Sequence, residues 1–347
     1  MPRFDLAPIG NCAVASLIDR RGRHVWFCFP RLDGDPLFNA LVNGTAPDGG
    51  FMDVVAEGER HFGQSYLRNT AILETNIRTA NDEEFRIIDF APRFRQLGRN
   101  FRPPMLVRRI EPVKGQPRLT LRIRPTFDYG AAKPEISIGS NHIRYVGADQ
   151  VLRVTADVGP SYILDEAPFL LTRPINLFVG SDESVPEEPS GLAIHFLHET
   201  KSYWEDWTRK LAIPFEWQAA VLRAAITLKL CSYEETGAIV AALTTSIPEA
   251  PDTGRNWDYR YCWLRDAYFT VTALNRLNTT RTMEDFVRFL LDNVVREDAD
   301  SLRPLYPITK RSNLAESEAS ALKGFRDMGP VRIGNAASGQ RQNDAYG

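Results

Sequence analysis

The sequence has few of the residues that build disulfide frameworks and metal sites. Its 347 residues include five histidines and only four cysteines, Cys12, Cys28, Cys231 and Cys262. The cysteines show no CxxC spacing, and no histidine accompanies them at the intervals that zinc sites use. A phosphate-binding loop and a nucleophile elbow are absent as well. We therefore expect no disulfide framework, no bound metal and no cofactor.

The sequence also lacks a long hydrophobic run and an excess of charge of either sign. No uninterrupted apolar run approaches the roughly 18 residues that a membrane span needs, and the first ten residues do not resemble a signal peptide. Lys and Arg number 42 against 44 Asp and Glu, so the formal charge of -2 creates no field that attracts nucleic acid or an anionic membrane. We predict a cytoplasmic protein with neither partner, and nothing in the sequence indicates its oligomeric state.

The chain is longer than a single hydrophobic core usually supports, so the sequence predicts two domains. In its first half, turn residues separate short β-branched or alternating runs, a pattern typical of antiparallel sheets. The runs 73–79 and 85–90 flank a short polar turn and predict a β-hairpin, as do the runs 13–18 and 24–29. We predict an antiparallel β-sandwich domain over residues 1–190.

The spacing of apolar residues changes after the turn-rich segment 185–191. Beyond it, apolar residues recur every three or four positions, which indicates helices. We predict a linker helix over residues 191–213 and a helical domain over residues 214–347.

Four helices are predicted in this second domain. One has an apolar face that begins at Trp217 and includes Ala224. The next covers 264–274, and the third begins at a capping box over 282–285. The last begins near Asn335 and is still running where the sequence ends.

The segment 254–266 is the densest unusual stretch, with four aromatic residues, three arginines and two aspartates. Aromatic faces stack on the apolar side of a pyranose, while arginine and aspartate supply the hydrogen-bonding groups that its hydroxyls need. The mixture fits a sugar site, with Arg265 and Asp266 in the first turn of a helix. It also fits an ordinary helix start, in which Asp266 stabilises the helix dipole, Arg265 is its surface partner and the rings belong to the core.

A second, glycine-punctuated segment, 324–337, leads into the last predicted helix and is a candidate for lining the same pocket. It fits equally well a connection between two helices, with Asn335 as the N-cap. Glu316 and Glu318 precede it and invite an acid–base assignment, but alternate positions in a charged stretch usually form a solvated face. We therefore assign them no catalytic role.

Five separated blocks of the sequence resemble one family. They are Pro8–Ile18, Trp26–Asp33, Asp128–Gly130, Trp257–Asp266 and Pro330–Ala337. Together they resemble glycoside hydrolase family 15, the glucoamylase, glucodextranase and trehalase-like group, in its bacterial two-domain form. The resemblance implies a β-supersandwich followed by an (α/α)6 barrel, which agrees with the change of spacing along the chain.

The resemblance also implies which residues bind the substrate. Arg265 and Asp266 match the pair that hydrogen-bonds hydroxyls of the non-reducing glucose. Tyr259 matches a tyrosine beside the reacting centre, and Trp263 matches a tryptophan of the pocket wall. Arg326 falls near a substrate-loop position, although the residues after it depart from the family's Arg-Gly-Ser pattern.

Family members hydrolyse α-glucosidic bonds with inversion, using one glutamic acid as general acid and a second glutamate as general base, roughly 6.5–9.5 Å apart. In the family both follow a Gln-x-Gln-x-Asp-x-Tyr-Gly segment, which residues 340–347 loosely resemble. We therefore identify no catalytic residue in this chain. We expect an incomplete (α/α)6 barrel that leaves the Trp217 face exposed to water and has weak or no hydrolase activity.

The resemblance implies an α-glucoside or oligosaccharide substrate and leaves three functions open. The first is glucoamylase-like hydrolysis of terminal α-linked glucose, by a chain truncated before the catalytic glutamates. The second is a trehalase. The third is a noncatalytic protein that binds carbohydrate or a partner. The substrate-binding residues contact the glucose that the glucosidic substrates share, so they do not select the linkage.

Overall fold

The computed structural model describes residues 5–185, 188–294, 302–310 and 312–343. These residues form two compact units. The N-terminal unit takes the described residues from 5 to 206 except 31–34 and 41–47, which belong with the described residues from 207 to 343. The finer domain limits predicted above, at residues 190 and 213, stay predictions.

Strands dominate the first half of the chain, and most of the helical residues lie in the second. The strands are, in chain order, β1 Ala7–Gly10, β2 Ala15–Ile18, β3 His24–Phe29, β4 Asp35–Phe38, β5 Asn43–Gly44, β6 Phe51–Ala56, β7 Glu59–Tyr66, β8 Leu73–Thr79, β9 Glu84–Phe90, β10 Phe94–Gln96, β11 Arg99–Phe101, β12 Met105–Lys114, β13 Arg118–Arg124, β14 Glu135–Ile138, β15 His142–Val146, β16 Val151–Ala156, β17 Phe169–Leu170, β18 Ile175–Gly180, β19 Ser232–Tyr233, β20 Ala238–Ile239, β21 Cys262–Trp263, β22 Leu305–Tyr306, β23 Ser317–Glu318, β24 Gly324–Phe325 and β25 Arg332–Ile333. The α-helices are α1 Pro160–Leu164, α2 Pro189–Arg209, α3 Gln218–Leu230, α4 Leu264–Arg276 and α5 Thr280–Asn293. Short 3-10 helices cover Ala40–Val42 and Ala336–Gly339. This order confirms the predicted change from an antiparallel β-rich region to a helical region.

The N-terminal unit is built from two antiparallel sheets. One has eight strands in the order β14-β15-β16-β18-β12-β9-β8-β7, and the other has seven, in the order β1-β2-β3-β6-β13-β17 with β4 beside β3. Both predicted hairpins are present, because β2 pairs with β3 and β8 pairs with β9. The buried side chains of β8 alternate with more exposed ones, as expected of a strand with one face on a core. Side chains from both sheets, such as Phe27 and Ile87, meet in one apolar core.

A buried ionic network lies inside this unit. Arg108 donates to both carboxylate oxygens of Asp89, at 2.7 and 2.9 Å. His24 Nε2 lies 3.2 Å from the same carboxylate, and His24 Nδ1 lies 2.8 Å from Ser16 Oγ. Burial and the charge of Arg108 lower the pKa of His24. Because all of these side chains are closed off from solvent, the Ser-His-Asp arrangement is structural.

The buried face of helix α3 is not the predicted one but the face next to it. Ala225 and Ile226 are buried, whereas Ala224 is exposed and Trp217, which precedes the helix, is 78% exposed as expected. The buried face is the one that meets α4, where Ala225 and Leu274 share a small apolar cluster. Neighbouring residues point about 100° apart on a helix, so a shift by one residue changes the face that packs.

The predicted start of α5 was wrong. The helix begins at Thr280, so Thr282 lies inside its first turn and not at its N-cap. The capping box with Asp285 does not form, because that carboxylate binds Arg281 at 3.1 Å and Arg288 at 3.4 Å.

The last predicted helix differs as well. Asn335 is an N-cap as predicted, because its side chain accepts from the backbone N–H of Ala337 at 2.9 Å. The element that follows is a 3-10 turn ending at Gly339 instead of an α-helix. Residues 344–347 of the predicted helix lie outside the described residues.

Within the ranges that the structure describes, no helix is both long enough and apolar enough to cross a membrane. The same ranges hold no group of three or more His, Cys, Asp or Glu side chains placed to bind a metal ion. The four cysteines are free thiols.

Candidate functional site

The three arginines of segment 254–266 have different surroundings. Arg260 donates through Nε and Nη2 to the Asp258 carboxylate, at 2.9 and 2.7 Å, and both side chains are fully buried. Arg255 pairs with Glu249 at the surface, and Arg265 lies on the first turn of α4. The buried pair is therefore structural, whereas Arg255 and Arg265 remain accessible to a ligand.

Arg265 and Asp266 present opposite charges side by side at the start of α4. The helix begins at Leu264, so both lie in its first turn as predicted. Arg265 Nη2 is 3.1 Å from Asp266 Oδ2, and the two side chains are 46% and 38% exposed. A guanidinium and a carboxylate in this position offer donors and acceptors to a polyhydroxylated ligand. The carboxylate also stabilises the helix dipole, so the geometry accommodates both roles considered above.

Tyr259 and Trp263 form an aromatic pair near these charges. Their ring centroids are 5.4 Å apart, with the half-buried Tyr259 tilted by 49° against Trp263, which is only 5% exposed. Burial and the hydrogen bond to Glu249 raise the pKa of Tyr259 to about 12, and the charges of Asp266 and Arg265 also act on this phenol. The structure therefore brings four of the five predicted residues together. Little of the Trp263 ring is open to a ligand, because it packs largely in the core.

Hydrogen bonds join the second predicted segment to the first. Asn256 Nδ2 donates to the carbonyl oxygens of Met328 and Pro330, at 2.8 and 2.9 Å. Asn335 Nδ2 donates to the carbonyl oxygen of Asp258 at 3.1 Å. The two segments that the sequence singled out are thus parts of one local structure.

Arg326, the fifth predicted residue, is an exposed residue of this second segment. Its backbone is left-handed, with φ at 53°, and its guanidinium lies 5.2 Å from the ring centre of the neighbouring Phe325. In the part of the chain that the structure describes, the Arg326 guanidinium contacts the ring of Phe325 and none of the rings of the other predicted residues. A role for Arg326 in substrate binding stays a prediction.

Glu316 has a structural partner that the sequence did not reveal. Its carboxylate accepts from Arg332 Nη1 and from the backbone N–H of Ala336, both at 3.0 Å. Glu318 lies 3.6 Å from the same guanidinium and is mostly exposed. Glu316 therefore anchors the start of the 3-10 turn, whereas Glu318 fits the solvated face that its spacing indicated.

Sequence reasoning missed Glu249. Its Oε1 accepts from the Tyr259 hydroxyl at 2.9 Å, and its Oε2 accepts from Arg255 Nε at 2.9 Å. The hydrogen bonds from Tyr259 and Arg255 lower the pKa of Glu249. The residue lies in a Pro-Glu-Ala-Pro stretch without periodicity, so no local signal in the sequence marks it.

A cavity of about 440 Å³ lies in another part of the C-terminal unit. Its lining includes Glu234, Asp285, Arg288 and Lys310 and none of the five predicted site residues. Its described lining holds no aromatic ring on which a pyranose would stack. The cavity is therefore distinct from the predicted sugar site.

Two family models match the chain, one in each half. The model described as glycosyl hydrolases family 15 matches residues 217–347, and the model described as trehalase-like, N-terminal, matches residues 4–164. Residues 217–347 belong to glycosyl hydrolases family 15. This membership confirms the predicted resemblance, and the family 15 match contains all five predicted site residues.

Curated proteins similar to this chain include several trehalases. The trehalase of Mycolicibacterium smegmatis is 30% identical, across 100% of this chain and 56% of its own length. The trehalase of Thermoplasma volcanium is 27% identical, across 98% of this chain and 54% of its own length. The trehalase of Mycobacterium tuberculosis is 29% identical, across 100% of this chain and 55% of its own length. The chain spans about half the length of the curated relatives it matches.

Proposed function

We propose that this chain binds one glucose unit of trehalose, through the recognition site of a trehalase-type glycoside hydrolase. The observation that carries the proposal is the grouping of a half-buried phenol, Tyr259, with the exposed pair Arg265 and Asp266 at the start of α4. Such a group supplies an apolar ring face and charged hydrogen-bonding groups in one place, which is the combination that a pyranose requires.

Trehalose ranks before the maltooligosaccharides that the sequence favoured. Similar curated proteins are named trehalases, and residues 4–164 match a trehalase-like model. Glucoamylase-like hydrolysis of terminal α-linked glucose is the second candidate. It is supported by the family 15 match, because the same glucose occurs in both kinds of substrate.

Each site residue has a distinct role in this proposal. Arg265 and Asp266 hydrogen-bond the glucose hydroxyls, and the ring of Tyr259 contacts the apolar side of the sugar beside the narrow exposed part of Trp263. Helices α3, α4 and α5 form part of the family's (α/α)6 barrel. Arg326 contributes from the adjacent segment.

The acid–base step is assigned to residues outside the described site. The family resemblance puts both catalytic glutamates after a segment like 340–347, and Glu316 is held by Arg332. General acid and general base assistance contribute about 10²- to 10⁴-fold each, so their loss removes roughly 5 to 11 kcal/mol of barrier lowering. Because neither role is assigned to a residue of the described site, that site is expected to bind glucose units and not by itself to hydrolyse them.

Calorimetry with the purified 347-residue chain tests the proposal. Trehalose is expected to bind more tightly than maltose or isomaltose, and Arg265→Ala is expected to weaken trehalose binding about tenfold through loss of a charged hydrogen bond. Arg281→Ala is the matched control, because Arg281 forms an ion pair of the same 3.1 Å length with Asp285 near the start of α5.

Three results would contradict parts of this proposal. If Arg265→Ala leaves trehalose binding unchanged, the proposed glucose site is wrong. Tighter binding of maltose than of trehalose would favour the glucoamylase-like function. Release of glucose from trehalose above a buffer blank would show that the chain itself carries the acid and the base.

A further inference from the structure

We infer that Glu249 is a positioning residue of the glucose site and holds the Tyr259 hydroxyl in one orientation. This inference rests on the proposed function. It assigns a role to a residue that contacts the proposed site but lies outside segment 254–266. It concerns a contact between residues ten positions apart that no sequence pattern indicated.

The two carboxylate oxygens of Glu249 are held by different donors. The Tyr259 hydroxyl donates to Oε1 at 2.9 Å, while Arg255 donates to Oε2 through Nε at 2.9 Å and through Nη2 at 2.6 Å. The side chain of Trp257 also hydrogen-bonds this carboxylate. All three donors belong to segment 254–266, so the segment itself fastens the carboxylate against the phenol.

The backbone keeps the two residues opposite each other. The N–H of Glu249 donates to the carbonyl oxygen of Arg255 at 3.1 Å, and the N–H of Ser246 donates to that of Trp257 at 2.9 Å. The N–H of Ala242 donates to the carbonyl oxygen of Tyr259, also at 2.9 Å. Because the segments before and after the turn are tied together, the contact between carboxylate and phenol does not depend on two freely rotating side chains.

This contact determines which hydrogen-bonding capacity Tyr259 offers to a sugar. A phenol has one proton to donate, and an ionised carboxylate only accepts. The Tyr259 proton is therefore committed to Glu249, and the phenolic oxygen remains as an acceptor for a glucose hydroxyl. A hydrogen bond to a charged acceptor is also stronger than a neutral one, so it restrains the ring beside Trp263.

A double-mutant cycle on trehalose binding tests the inference. Glu249→Ala is expected to raise the Kd for trehalose roughly fivefold to tenfold, and Glu249→Gln less, since the amide oxygen still accepts a hydrogen bond. In a Tyr259→Phe background, Glu249→Ala is expected to have no further effect, because Glu249 acts through the hydroxyl.

The matched control is Glu235→Gln. Glu235 accepts a hydrogen bond from the Tyr233 hydroxyl at 2.7 Å in another part of the same unit. Replacing it by glutamine removes the charge from a comparable carboxylate–phenol contact, so general effects of losing such a charge appear in this variant too. Its trehalose binding is expected to equal that of the unmodified chain.

Fluorine NMR of fluorotyrosine-labelled protein measures the pKa of the Tyr259 phenol. A purely structural role of Glu249 would leave this pKa unchanged. The Tyr259 resonance is identified by its absence in Tyr259→Phe. Loss of the Glu249 charge in Glu249→Ala or Glu249→Gln is expected to lower the pKa of the labelled Tyr259 phenol, whereas Glu235→Gln is expected to leave it unchanged. The fluorinated phenol ionises at lower pH than tyrosine, so its titration needs a less alkaline solution.

Two outcomes overturn the inference: an unchanged Tyr259 pKa in Glu249→Ala, or a double variant that binds trehalose more weakly than Tyr259→Phe. If the unmodified chain binds neither trehalose nor maltose, the proposed function fails. In that event the fluorine titration still decides whether Glu249 positions the phenol.

Discussion

Asp258 and Arg260 form a fully buried ion pair on either side of Tyr259. Arg260 donates to both carboxylate oxygens and, through Nη1, to the carbonyl oxygen of Gly34 at 2.7 Å. Tyr259 lies between them in the sequence and is half-buried, with its ring against Trp263 and its hydroxyl on Glu249. A structural ion pair thus flanks a residue of the proposed glucose site.

Breaking this pair is expected to destabilise the C-terminal unit. Asp258→Asn leaves the Arg260 guanidinium buried without its counter-charge, which is expected to lower the free energy of unfolding by about 3–5 kcal/mol. Urea unfolding measures the change. Asp266→Asn is the control, because it removes a half-exposed carboxylate from the same segment and is expected to cost at most about 1 kcal/mol. Equal losses in the two variants would contradict the assignment of Asp258 to the fold.

The buried imidazole of His24 is expected to make the protein less stable in mild acid. Burial and the charge of Arg108 lower the pKa of His24 in the folded state, whereas an unfolded histidine titrates near about pH 6.5. Below that pH the unfolded chain binds a proton that the folded unit does not. Stability from this group is therefore complete above about pH 6.5 and decreases below it, by at most about 1.4 kcal/mol per pH unit.

Urea unfolding between about pH 7 and pH 5 measures that slope. Comparison with His24→Gln isolates the contribution of this residue, and the variant is expected to show a shallower dependence on pH. For Asp89, burial opposes ionisation but the charge of Arg108 outweighs it and lowers the pKa, so Asp89 loses its contribution only in stronger acid. An identical slope in the two proteins would contradict the prediction.

Two glycines with left-handed backbones are expected to respond differently to alanine. Gly254 has a φ of +66° and open space where a Cβ would lie, whereas Gly334 has a φ of +74° and a Cβ there would lie 2.1 Å from the carbonyl oxygen of Ala315. Gly254→Ala is expected to cost about 1–2 kcal/mol, the cost of the left-handed backbone alone. Gly334→Ala is expected to cost more because the backbone must also shift. Thermal unfolding of both variants gives the comparison, and equal melting temperatures would refute it.

Asn256 is expected to hold the two motif segments together. Its amide donates to the carbonyl oxygens of Met328 and Pro330, so Asn256→Ala removes two hydrogen bonds, at about 1 kcal/mol each. Hydrogen exchange is expected to become faster in residues 326–333 and to stay unchanged in the N-terminal sheets. Asn76→Ala, which removes an exposed amide bound to Glu74, serves as the control. Unchanged hydrogen exchange in Asn256→Ala would show that other contacts are enough to hold the two segments together.

The elements predicted correctly were those that local pattern defines. The hairpin of β8 and β9 follows from alternation and a polar turn, and helix α4 follows from an apolar stripe with Arg265 and Asp266 at its start. The wrong prediction at the start of α5 concerns a side chain that has more than one possible hydrogen-bond partner. Asp285 has the right spacing for a capping box with Thr282, but its carboxylate binds two arginines instead.

The amino-acid pattern was enough to predict the family resemblance, the order of a β-rich and a helical region, and the residue types of the candidate sugar site. Long-range packing decides which charges of segment 254–266 serve the fold and which face outward. Arg260 is buried because it reaches Gly34, 226 positions earlier in the chain, and Tyr259 is oriented by Glu249 from outside the motif. Periodicity reports a residue's preference for a helix or strand, whereas the partner of a buried charge depends on which distant segments packing brings together.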